Sequence, residues 1–168
     1  MIILGIDPGF AIVGYSIIEV DSKQKITPID YGVITTKPGL SIATRINIVA
    51  NNLELIIKKY KPDCMAIEEL FFTTNQKTAI NVSQTRGAIL LTATKLLGAN
   101  NLYEYTPLQI KQAITGYGKA DKQQIQHMVK TLLNLDKIPK PDDAADALAC
   151  AICHAQTNKF QKLFRVVK

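Results

Sequence analysis

MIILGIDPGFAIVGYSIIEVDSKQKITPIDYGVITT, residues Met1–Thr36, is the stretch that decides the fold. Met1–Asp7 is a short apolar run that stops at Pro8-Gly9, a turn signal. Ala11–Val20 and Lys25–Thr36 continue in the same style, with Asp21-Ser22-Lys23 between them. Connections this short leave no room for a crossover, so the three segments predict an antiparallel meander.

Outward from the meander, helical spacing takes over. Ile42, Ile46, Val49, Leu53, Ile56 and Ile57 place one apolar stripe on a helix of about five turns that Pro62 ends. Met65–Phe72 reads as the next strand, Asn75–Leu97 as a helix stopped by Gly98, and Leu102–Tyr105 as a short strand. Asn75–Leu97 is apolar on more than one face, which fits burial against a second subunit or a central core position. Thr106-Pro107-Leu108-Gln109 combines an N-cap, a proline at the first helical position and a glutamine at the third. Asp121 and Gln124 repeat that logic and open a helix with Ile125, Met128, Val129, Leu132 and Leu133 on one face. Beyond Pro139 and Pro141, Asp142 or Asp143 opens the last helix. The order β-β-β-α-β-α-β-α-α-α predicts an α/β domain over residues 1–158, a mixed five-stranded sheet flanked by helices on both faces. Residues 159–168, with Lys159, Lys162, Arg165 and Lys168, read as a basic C-terminal tail.

Composition narrows the class. A chain of 168 residues, 47% hydrophobic and 20% charged, suits one folded domain with one good core. No segment approaches the ~20 uninterrupted apolar residues of a membrane span. The N-terminus has no basic leader and carries a carboxylate at Asp7, so no signal peptide and a cytoplasmic location are expected. Lys and Arg number 20 against 14 Asp and Glu, a net charge of +6 that favours a polyanionic partner without identifying one. Three cysteines are too few for a disulfide framework. Cys150, Cys153 and His154 spell the haem-attachment pattern C-x-x-C-H, but they lie in the apolar stretch Ala147–Ala155, which reads as a packed helix. A second ligand pair for zinc is missing.

Four carboxylates look out of place. Asp7 ends an apolar strand, and Glu68 lies within CMAIEELF, Cys64–Phe71, whose neighbours are apolar too. Desolvating an unpaired carboxylate costs several kcal/mol. Each acid alone fits a strand end that reaches solvent. Asp143 and Asp146, at i and i+3, share one side of a helix, where like charges repel. A capping role accounts for Asp143 but not for Asp146, which is followed by Ala147, Leu148 and Ala149. Four such acids near an apolar core call for a cation, and hard oxygen donors suit Mg²⁺ or Mn²⁺. Two such ions ~4 Å apart form the usual machinery of phosphodiester hydrolysis. A basic protein with an acidic site therefore suggests a nuclease.

The motifs behind this reading also resemble a known family. Gly5-Ile-Asp7-Pro-Gly9, Ala66-Ile-Glu68-Glu, Gln84-Thr-Arg86-Gly87, Lys111-Gln112, the Gln-His-Met core of Gln124–Val129, and Asp142-Asp-Ala-Ala-Asp146-Ala-Leu-Ala149 are similar to those of the RuvC Holliday junction resolvases. They occur in the right order across residues 1–156. The resemblance implies a ribonuclease H-like fold, a homodimer, and Mg²⁺-dependent cleavage of four-way DNA junctions by paired symmetric nicks in recombination and repair. It implies a catalytic, metal-binding tetrad of Asp7, Glu68, Asp143 and Asp146, with two Mg²⁺ per site and Mn²⁺ as a substitute. The third member is His in some relatives; here it is Asp143. Lys111 and Lys122 match basic positions near the scissile phosphate, Lys122 with a catalytic part. Phe71 matches an aromatic that meets bases at the junction centre, and Phe72 is an additional aromatic beside it, grouped here with the DNA-binding residues. The branch-migration proteins RuvA and RuvB are the implied partners.

Two rival readings start from the same residues. An ATP-binding protein of the actin and sugar-kinase superfamily also carries an Ile-Asp-x-Gly turn on its first strand, but needs two related domains and a far longer chain. Gly116-Tyr-Gly118-Lys119 is no P-loop, since no Ser or Thr follows and the earlier glycine is Ala113. A non-catalytic junction-binding module would keep the basic surface but has no use for four misplaced acids.

Overall fold

The computed structural model describes residues 1–70 and 76–157, with side chains placed for all of these but 76–78. Its central strand is β1 (Ile2–Asp7), the third of five in the order β3-β2-β1-β4-β5. β2 (Ile12–Val20) and β3 (Ile26–Thr35) complete the antiparallel meander expected from their short connections. On the other side, β4 (Cys64–Glu68) and β5 (Leu102–Tyr105) run parallel to β1, each reached through a helix. Those helices are α1 (Ile42–Tyr60) and α2 (Gln76–Leu97), and α3 (Pro107–Thr115), α4 (Lys122–Leu132) and α5 (Asp142–Gln156) follow β5.

Strand alternation sorts the core into two layers. Leu4, Ile6, Val13, Ile17, Met65, Ile67 and Leu102 face α1 and α2, meeting Val49, Leu53, Ile57, Ile89 and Ala93. Ile3, Ile18, Val20, Cys64, Ala66, Tyr103 and Tyr105 face the opposite way, toward the buried sides of α3, α4 and α5. The sheet is thus covered on both faces, as its helix order predicts. On the α1 stripe Val49, Leu53 and Ile57 are buried, while Ile42 at its start is 46% exposed.

Local signals set the helix ends. Ser41 accepts from the Thr44 N–H at the start of α1. Thr106 with Gln109 and Asp121 with Gln124 each form a reciprocal capping box, opening α3 and α4. The strand expected over Met65–Phe72 is shorter. β1 offers β4 partners only as far as Ile6, opposite Ile67, and β5 ends at Tyr105, where Thr106 and Pro107 turn the chain into α3. The Glu69 N–H still donates to the Tyr105 carbonyl at 2.8 Å, and past it no neighbouring strand remains to pair among the described residues. Phe71, Phe72 and residues 158–168 lie outside the described residues.

Cys150, Cys153 and His154 are core residues of α5, all at most 1% exposed. His154 Nδ1 lies 2.7 Å from the Tyr105 hydroxyl and Nε2 lies 3.3 Å from Cys64 Sγ, so both ring nitrogens are engaged by the protein. Burial holds its imidazole down at about 4, hence neutral at pH 7. Among the described residues no helix is long and apolar enough to cross a membrane.

Candidate active site

The topology brings the four anomalous acids to one end of the sheet. β1 and β4 are adjacent and parallel, and Asp7 and Glu68 each stand one residue past the paired Ile6 and Ile67. Both strands therefore deliver a carboxylate at their C-terminal ends, on the face that α5 covers. α5 brings Asp143 and Asp146 to the same place by lying very close to the sheet. The residues beneath it are small, and two glycines make the approach possible. A Cβ on Gly5 would stand 2.2 Å from the Ala147 carbonyl oxygen, and one on Gly14 would stand 2.0 Å from that of Asp143. Gly14 is the direct ladder partner of Asp7, so the start of α5 rests on the strand position opposite that acid. The helix answers with alanine: Ala144, Ala145, Ala147, Ala149 and Ala151 are all buried.

Crowding shows in the electrostatics. Burial first, then the charges of Glu68, Asp146 and Asp143, push the Asp7 carboxyl up from 3.8 to about 8, with Lys122 opposing. Burial and Asp146 push Glu68 from 4.5 to about 7, while Lys111 and Lys122 pull it down. Asp146 is raised by burial against the pull of its Lys122 hydrogen bond. Lys122, in the first turn of α4, places Nζ 3.1 Å from Asp146 and 3.7 Å from Asp142. Burial weakens its hold on the proton, but Asp146, Asp142 and Asp143 together raise it above its ordinary value.

A cleft beside these groups is lined by Glu68, Lys111, Lys122 and Asp146, with Pro107 and Ile110 as part of its apolar wall. Lys111 thus comes to the acids from α3 and Lys122 from α4. Among the described residues no three acidic, His or Cys side chains close into a ready-made metal cage. The donor set nevertheless suits a hard divalent cation, whose charge would relieve the repulsion that raises Asp7 and Glu68. Mg²⁺ in particular binds through one or two carboxylates and completes its shell with water and substrate phosphate.

Three features of the site escape a reading of the sequence by itself. Asp142, read only as a candidate helix opener, accepts from Lys140 Nζ at 2.8 Å and stands next to Lys122. Arg45 stacks 3.7 Å over the Phe10 ring and donates from Nε to Thr36 at 2.8 Å, bracing the turn that follows Asp7. Its signal, a lone arginine on an amphipathic helix, is indistinguishable from a solvated one. The close approach allowed by Gly5 on β1 and Gly14 on β2 is the third, and a single glycine inside each apolar strand is the trace it leaves. The Gln84–Gly87 motif lies on α2, where Arg86 meets Glu104 of β5 at 2.7 Å.

The geometry has counterparts. The family model described as crossover junction endodeoxyribonuclease RuvC matches residues 3–154. A crossover junction endodeoxyribonuclease RuvC of Alkaliphilus oremlandii is 54% identical over 166 residues, 99% of each chain. The solved Thermus thermophilus RuvC structure superposes with a TM-score of 0.86 at 32% identity, covering 95% of this chain and 96% of the other. A second Thermus thermophilus structure, RuvC in complex with a Holliday junction substrate, gives 0.84 at 29% identity over the same shares. More distant Holliday junction resolvases, such as yeast mitochondrial Ydc2 at 18% identity and a TM-score of 0.69, share the fold. With a family model spanning nearly the whole described chain and a relative identical at more than half its positions, this chain belongs to the RuvC family of crossover junction endodeoxyribonucleases.

Proposed function

We propose that the chain is an Mg²⁺-dependent endonuclease that resolves four-way DNA junctions by paired nicks, with Asp7, Glu68, Asp143 and Asp146 as its metal-binding tetrad. The observation that carries this reading is Asp7, a carboxyl at the end of a central strand raised to about 8 by burial and by its three fellow acids. A fold tolerates such repulsion where a bound cation offsets it. Two Mg²⁺ ions, or Mn²⁺ in their place, would supply a water activated for in-line attack and a Lewis acid for the leaving 3′ oxygen. The protein's own groups do the rest. Asp7 and Glu68, on rigid strand ends, hold the acceptor geometry, and Asp143 and Asp146 complete it from the helix. Lys122 stands beside Asp146 with a strongly held proton, suited to neutralising charge that grows on the scissile phosphate. Lys111, which also lines the cleft, would bind the DNA backbone. Phe71, outside the described residues, is assigned to bases at the junction centre, and Phe72 beside it is grouped with the DNA-binding residues without a separate role. Residues 1–158 would then form the nuclease domain and 159–168 a basic tail.

Two symmetric cuts call for two sites related by a two-fold axis, hence a homodimer. Ile80 and Leu91 of α2, 59% and 57% exposed and three helical turns apart, offer it an apolar face. Work beside RuvA and RuvB in the cytoplasm follows from the same family reading. The test is to add Mg²⁺ to a labelled junction with the wild type and with the four single amide variants. Nicks from the wild type alone are expected. Junction binding without nicking by the wild type would make this a binding module instead.

A further inference from the structure

Two residues of the tetrad ride on α5, so their distance from Asp7 depends on how that helix sits on β1 and β2. The contact surface there is smooth: Gly5 and Gly14 below, Ala147 and Ala151 above. Dispersion between glycine and alanine is not directional and sets no rotation or axial height. Directional contacts are few: His154 meets Cys64 and Tyr105 farther along α5, Cys150 meets the Ile6 backbone, and one side chain of β2 reaches the acid-bearing part of the helix. Ser16, fully buried, donates its hydroxyl proton to the Ala147 carbonyl at 2.9 Å across 131 residues of chain. Ser16 is the ladder partner of Gly5 and stands two residues from Gly14, the partner of Asp7, on the same face of β2. Its acceptor is the residue after Asp146 and one turn beyond Asp143. The Ser16 hydroxyl therefore pins the helix at the Gly5 contact, one turn beyond the Gly14 contact at Asp143.

We propose that Ser16 is a positioning residue for the carboxylate site, fixing the rotation and height of α5 so that Asp143 and Asp146 meet Asp7 at metal-binding distance. This inference rests on the reading of those acids as metal ligands. A rotation of a few degrees about the α5 axis displaces the carboxylates more than the backbone, because they stand farther from that axis. The cost should therefore fall on metal affinity, with DNA binding spared.

The experiment compares Ser16→Ala and Ser16→Cys with the wild type and with Leu53→Ala, a core truncation in the opposite layer. Mn²⁺ affinity of the DNA-free protein is read by electron paramagnetic resonance, thermal stability by calorimetry, and the Mg²⁺ midpoint by junction nicking. One lost hydrogen bond predicts a Mn²⁺ affinity and a Mg²⁺ midpoint roughly three- to tenfold weaker in Ser16→Ala. Ser16→Cys, which keeps a weak donor on a slightly larger side chain, should fall between, and excess Mg²⁺ should recover most of the rate. Leu53→Ala should lose stability while keeping the wild-type Mn²⁺ affinity. A folded Ser16→Ala with lowered stability but wild-type Mn²⁺ affinity and Mg²⁺ midpoint overturns the proposal, leaving Ser16 a stability contact. Should Ser16→Ala not fold, the Ser16→Cys measurements decide by the same criterion. Failure of the underlying site reading looks different: Asp7→Asn would then keep both Mn²⁺ binding and nicking, whatever Ser16 does.

Discussion

Replacing Asp7 by asparagine should have opposite effects on stability with and without divalent metal. The folded chain holds the Asp7 proton up to about 8, whereas an unstructured chain releases it near 3.8. Below about pH 4 both states carry the proton and Asp7 is neutral in the stability difference. As pH rises toward 8 the unfolded state ionises first, so stability falls through that window and levels off above it. Four pKa units correspond to roughly 6 kcal/mol at about 1.4 kcal/mol each. Structural relaxation and water entering the site reduce that penalty, so about 2 kcal/mol is the expected gain of Asp7→Asn over wild type in EDTA at pH 8. The gain should vanish toward pH 4. Saturating Mg²⁺ should reverse the order, because ligand binding to the folded state stabilises the wild type in proportion to its occupancy and the amide has lost a ligand. Thermal unfolding across pH 4–9, in EDTA and in Mg²⁺, checks both halves, and a nicking assay on the same samples should show cleavage down by several orders of magnitude. Binding to a junction without metal should persist or tighten, since a negative charge has left the neighbourhood of a polyanion. An Asp7→Asn protein less stable than wild type at pH 8 in EDTA would refute the electrostatic argument. Near wild-type nicking would refute the assignment of Asp7.

Junction affinity should depend strongly on salt: neutralising around six phosphates predicts a loss on the order of 10³-fold between 50 and 200 mM, and a nearly flat log–log plot would contradict the +6 charge as the source of binding. Active protein on the junction should sediment as a dimer, and Ile80→Glu with Leu91→Glu should shift it toward monomer with loss of paired nicking; a fully active monomer would exclude the two-fold arrangement. Lys122→Ala should slow single-turnover nicking by about 10²-fold while Mn²⁺ still binds, since a fixed charge beside the phosphate is lost and the carboxylates remain. A wild-type rate in that variant would return Lys122 to the status of a solvated lysine.

What the sequence made legible was whatever a short window contains. The meander follows from connectors too short to cross over, and the two capping boxes follow from residues three apart, Thr106 with Gln109 and Asp121 with Gln124. Asp7 and Glu68 stand out because a carboxylate in an apolar strand conflicts with its neighbours. What stayed hidden depends on residues far apart in the chain. The end of β4 is set by where β1 and β5 stop, so the apolar run past Glu68 overstated the strand at Glu69 and Leu70. Asp142 looks like any helix opener until Lys122 and Lys140 are seen against it. Ser16 and Gly14 look like ordinary strand residues, and only the ladder that pairs Gly14 with Asp7 gives them a place in the site. The contrast has a physical origin. An acid declares itself by the solvation it lacks, a local property, whereas the spacing between acids is set by backbones that meet across more than a hundred residues. Where a strand carrying a misplaced acid has an antiparallel partner, the glycine or serine opposite is therefore the place to look for the contact that positions it.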